Sequence, residues 1–154
     1  MRFLAAPAAL IALLAFVACG DEEGLTDSTM NVVLDGFSIT TDVVVVPPGD
    51  VTFDLDNEDP DLEHELVIVK TDFAFDDIPT ENDGTVDEGA AGVDVKGRVR
   101  KFDEGRSSGT FTLKDPGNYV LICNLKEKID GVDTAHYSEG MRVSFTVEEG
   151  ASAE

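Results

Sequence analysis

Pro116-Gly117-Asn118-Tyr119-Val120-Leu121-Ile122-Cys123-Asn124-Leu125 reads as a turn, a strand and a cysteine at the strand's end. Asp115-Pro116-Gly117-Asn118 is the turn signal, and the aromatic, β-branched run from Tyr119 to Cys123 has strand length. Strand parity puts Cys123 on the face shared by Tyr119 and Leu121. After twelve intervening residues comes His136-Tyr137-Ser138-Glu139-Gly140-Met141, which leads into the last strand, Met141 to Val147. Its odd positions are apolar and its even positions polar, the pattern of a half-buried strand. Cys123 and Met141 are therefore both expected to face the interior, near one end of the fold.

Upstream, Asn31 to Leu34 and Phe37 to Ile39 flank an Asp35-Gly36 turn, and the apolar run Val43 to Val46 stops at Pro47-Pro48-Gly49-Asp50. Val51 to Asp56 alternates, with Val51, Phe53 and Leu55 on one face. His64 to Val69 is the next strand, its His64, Leu66 and Ile68 turned one way. Residues 71–107 are rich in Asp, Glu and Gly, and read as a long loop with a short helix or an extra strand near Gly97 to Phe102. About seven to eight short strands with turns between them predict an all-β two-sheet sandwich.

The 154 residues amount to about one domain. With 32 Asp+Glu against 11 Lys+Arg, the net charge of -21 leaves no basic stripe for phosphates and excludes a nucleic-acid binder. At 42% hydrophobic, the chain is nonetheless no disordered acidic tail. The acidic runs 57–61, 76–77, 81–83 and 87–88 lack the spacing of an EF-hand loop. They read as solvated loops that could steer a redox partner with a basic face, or as an adaptation to saline surroundings.

Met1-Arg2 followed by the apolar stretch Phe3 to Ala18 reads as a signal peptide, 1–18, too short for a membrane span. Phe16-Val17-Ala18-Cys19, ahead of a polar run, resembles a bacterial lipobox, with Phe16 where Leu is usual. That resemblance implies lipid attachment at Cys19, anchoring to a bacterial membrane, and a location outside the cytoplasm. Residues 19–29 are then a tether, 30–149 the domain and 150–154 a tail. Cys123 remains as a lone thiol in an oxidising compartment, either a buried core residue or a metal ligand.

Both histidines of the chain, His64 and His136, fall at strand ends or beside them, as do Cys123 and Met141. Two imidazoles, a thiolate and a thioether form a set that copper favours; zinc has little use for the thioether. Asn57 through His64-Glu65-Leu66-Val67-Ile68-Val69-Lys70-Thr71-Asp72, Pro116 to Leu125, and His136 to Met141 together resemble the cupredoxin superfamily, specifically plastocyanin-like and sulfocyanin-like domains, over roughly residues 30–149. The resemblance implies a Greek-key β-sandwich holding one type 1 (blue) copper through His64, Cys123, His136 and Met141. It implies that Asn57 braces the ligand loop near Asn124, and that electrons pass through a solvent-exposed edge of His136. It further implies a monomeric one-electron carrier, not an enzyme, serving a cytochrome or a terminal oxidase. Lys126 to Ala135 stands as an insertion, expected to fold out as a flap and leave the site intact. A Cu(I) carrier or storage protein and a metal-free cupredoxin-like binding module are the competing readings. No Gly-x-Ser-x-Gly elbow is present, and two histidines cannot supply the His-x-His motifs of a multicopper oxidase.

Overall fold

The structure, a computed structural model, describes residues 26–152. The expected signal peptide 1–18, Cys19 and most of the tether lie outside the described residues, as does the end of the tail. Strands follow in the order β1 (Ser28–Asp35), β2 (Ser38–Thr41), β3 (Val45–Val46), β4 (Gly49–Asn57), β5 (His64–Lys70), β6 (Asp94–Phe102), β7 (Gly105–Leu113), β8 (Gly117–Ile122), β9 (Lys126–Ile129), β10 (Val132–Ala135) and β11 (Arg142–Val147). A single helical turn, α1 (His136–Glu139), precedes β11. The first ladder begins at Ser28, ahead of the expected start at residue 30.

One sheet has the order β2-β1-β4-β7 and the other β3-β11-β8-β5-β6; β9 and β10 form a separate hairpin. The two-sheet β-sandwich expected from the sequence is what forms, with short strands added to the expected set. Met30, Val32 and Leu34 of β1 and Val51, Phe53 and Leu55 of β4 face Leu66, Ile68, Tyr119, Leu121, Phe145 and Val147 across the interior. Alternation in those strands thus records a single buried face.

β5 is different: all of His64 to Val69 is buried. Val67, Val69, Val120 and Ile122 point to the outer face of their sheet and pack against Ile78, Val86 and Tyr137. The acidic stretch after β5 is therefore a cover, held down by buried Ile78 and Val86 with half-buried Val93 beside them. No helix forms between 71 and 107; the strand alternative prevails, as β6 along β5. The Val43–Val46 run shortens to the two residues of β3, which pair parallel with β11 at the sheet edge. Val44 is left exposed.

β6 and β7 approach each other across two glycines. A Cβ on Gly97 would lie 2.2 Å from Phe111 Cδ1, and one on Gly109 2.8 Å from Val99 Cγ2. The Phe111 ring fills the space that these side chains leave. Gly97→Ala should lower stability by about 1–3 kcal/mol through overpacking. Urea denaturation checks this, and Gly97→Ala combined with Phe111→Leu should recover part of the loss.

Candidate metal centre

The β5–β8 ladder pairs Val67 with Ile122 and Ile68 with Leu121. That register carries His64, at the start of β5, beside Cys123, just past the end of β8. Cys123 Sγ lies 3.9 Å from His64 Nδ1 and 3.4 Å from His136 Nδ1. The three donor atoms all lie within 4.8 Å of one another, close enough to hold one metal ion. All three residues are fully buried. The two imidazoles meet edge to face, with centroids 5.2 Å apart.

Met141 is bound into the same corner by its main chain. Its carbonyl accepts from the Cys123 N–H at 3.1 Å, and its own N–H donates to the His136 carbonyl at 3.1 Å. Its side chain is buried in the core cluster that contains Cys123. Between His136 and Met141 the chain makes the turn α1 and leaves it through Gly140, whose φ of 117° suits glycine.

Burial keeps Cys123 and His64 uncharged in the metal-free site. Burial pushes the Cys123 thiol up to about 12, so a metal has to displace its proton. Burial, with His136 adding to it, brings His64 down to about 4. Besides the two imidazoles, the backbone N–H groups of Glu65, 3.5 Å from Sγ, and of Leu125 are aimed at the sulfur and work against the upward shift of the thiol.

The two asparagines brace different loops. Asn57 Nδ2 donates to the Leu62 carbonyl at 3.0 Å and Asn57 Oδ1 accepts from the Asp59 N–H at 3.0 Å, which closes the loop leading to His64. Asn124 pairs with Val86 instead: Oδ1 accepts from its N–H at 2.6 Å and Nδ2 donates to its carbonyl at 3.1 Å. Asn124 Nδ2 also donates to Glu88 Oε1 at 2.8 Å. Glu88 in turn meets Arg98, which donates through Nη1 to both carboxylate oxygens of buried Glu65 at 2.8 Å. A chain of contacts thus runs from the residue after His64 to the residue after Cys123, through Arg98 and Glu88. Sequence reading missed this bracing. Its one visible signal is Glu65, a lone carboxylate inside the apolar run His64 to Val69.

The expected open edge of His136 is closed. Lys126 to Ala135 does fold out as a flap, the β9–β10 hairpin, but Glu127 Oε1 reaches 2.7 Å from His136 Nε2, and Phe37 stands edge-on against the ring.

An unfolded His64 takes up its proton near pH 6.5, whereas the buried ring refuses it until about 4. Stability of the metal-free protein should therefore fall on acidification across that window, by about 1.4 kcal/mol per pH unit for one proton. His64→Gln should flatten this part of the profile in urea titrations at several pH values. Arg98→Ala should cost about 1–3 kcal/mol, because it strands the buried Glu65 carboxylate. Arg106→Ala should cost under about 1 kcal/mol, since the Arg106–Asp56 pair is exposed.

No protein-family model matches the chain, and no curated protein matches it in sequence. Solved structures do match it. An auracyanin from the photosynthetic bacterium Roseiflexus castenholzii superposes with a TM-score of 0.59 at 21% identity, covering 81% of this chain and 99% of its own. Auracyanin A, a "blue" copper protein from Chloroflexus aurantiacus, gives 0.55 at 15% identity, with 80% and 100% covered. Rusticyanin from Thiobacillus ferrooxidans gives 0.53 at 14%, with 79% and 78% covered. With a sandwich of this topology and a buried His-Cys-His cluster at one end, the chain has the cupredoxin fold.

Proposed function

We propose that the protein is a type 1 blue copper protein that carries single electrons outside the cytoplasm, tethered to a bacterial membrane by lipid on Cys19. The observation that carries this reading is the convergence of His64 Nδ1, Cys123 Sγ and His136 Nδ1 in a fully buried corner, with Met141 tied to the chain on either side. Imidazole and thiolate donors with a thioether close by would suit copper in both oxidation states. Copper held there would supply one-electron redox chemistry. The polypeptide fixes the donors in a dry, braced cage, which keeps reorganisation small when the charge changes.

Burial also favours electron over metal transfer. An electron crosses packed protein, whereas delivery of Cu(I) needs an acceptor's ligand to reach the ion. Docking of a cytochrome or a terminal oxidase through a basic face would draw on the net charge of -21. Cys123 and His136 stand as a thiol–imidazole pair, but both are fully buried and burial pushes the thiol up to about 12, which supports a carrier rather than a hydrolytic enzyme.

Titration of the purified protein with Cu(II) tests this. An intense thiolate-to-copper absorption band with narrow copper hyperfine splitting in EPR is expected, and Cys123→Ser should abolish the band while the protein stays folded. A colourless protein that binds no copper would sink the proposal. Rapid surrender of Cu(I) to a chelator during redox cycling would favour the metal carrier instead.

A further inference from the structure

The β9–β10 hairpin presents Glu127 to the outer edge of His136. Glu127 Oε1 lies 2.7 Å from His136 Nε2. Both atoms are buried, and among the described residues neither has an aligned hydrogen bond to any group. Their contact is thus the electrostatic one between carboxylate and ring. The ring's other nitrogen, Nδ1, is the one that faces Cys123 Sγ. Glu127 is held where it is. It pairs with Thr134 across the hairpin, and its neighbour Lys126 binds Asp83 at 2.6 Å. Ser138 of α1 adds a bond from Oγ to the Gly84 carbonyl at 2.6 Å, which fixes the turn carrying His136 to the same loop.

An imidazole that offers Nδ1 to a metal must keep its remaining proton on Nε2. A carboxylate beside Nε2 favours that tautomer, orients the ring and strengthens Nδ1 as a donor. We propose that Glu127 is a positioning residue for His136, its carboxylate holding the ring as the Nε2–H tautomer with Nδ1 presented to the metal. The copper part of this proposal rests on the function proposed above; the tautomer part does not.

Long-range 1H–15N NMR of the metal-free full chain at about pH 8, where imidazoles are neutral, reads the tautomer directly. His136 should be Nε2–H in the wild type, a mixture of tautomers in Glu127→Ala, and largely Nε2–H again in Glu127→Asp. An unchanged tautomer in Glu127→Ala overturns the proposal, whether or not the protein binds copper. In the copper-loaded protein, Glu127→Gln should raise the reduction potential, since it removes a negative charge that favours Cu(II) while preserving shape. A purely structural role for the hairpin would leave Glu127→Gln at the wild-type potential, and that result also overturns the proposal. If no copper is bound, the function proposed above fails, and the NMR measurement still decides the role of Glu127.

Discussion

The register between β5 and β8 is the constraint on which the site depends. With Ile68 opposite Leu121, the strand ends bring His64 and Cys123 together on the inner face of the sheet. Side chains alternate along a strand, so a slip of one residue would turn one of them outward and dismantle the donor cluster. The register is held by burial on both faces. Leu66, Ile68, Tyr119 and Leu121 lock the inner face, and Val67, Val69, Val120 and Ile122 lock the outer. A strand pair covered on one side only would have half of that restraint.

Much of this was legible in the sequence, for a physical reason. β1, β4 and β11 each bury one face, so period-two alternation is written into them. β5 and β8 bury both, so they read as apolar runs, and the run alone does not say what covers the second face. That cover comes from Ile78 and Val86, two isolated apolar residues in an acidic stretch with no period of its own. The Val43–Val46 run misleads because only Val45 and Val46, just before Pro47, reach the edge of β11, while the chain bends at Val44 and leaves its side chain exposed. His64, Cys123 and His136 stood out through scarcity of their residue types. Arg98, Glu88 and Glu127 did not, because their roles arise only when distant charges meet after folding. The flap was expected only as an insertion; the signal that makes it a hairpin is Asp130-Gly131, a type I′ turn pair whose residues both take positive φ, 52° and 85°.

Apart from Glu127 beside His136 and Glu65 next to His64, the acidity is kept away from the donor atoms. The excess of carboxylates lies on the outside, and the ion pairs there are mostly exposed and individually weak. Within the donor cluster, a thiol pushed up to about 12 and an imidazole brought down to about 4 leave Cys123 and His64 uncharged near neutral pH. The metal-free core can thus close without desolvating ions at those positions, and the thiolate is created only when a cation is there to meet it.

The His136 N–H donates to the Leu125 carbonyl at 2.9 Å, and Lys126 pairs with Ala135 at the foot of the hairpin. The ten residues between Leu125 and His136 leave and return at one point, so the distance along the chain from Cys123 to His136 is short-circuited by a single backbone bond. The hairpin is in that sense a cassette. Its length and outer residues can drift in evolution, or be exchanged by design, while the three donor atoms stay where they are. As long as Glu127 is kept against His136, the surface seen by a partner can therefore diversify without renegotiating the chemistry beneath it.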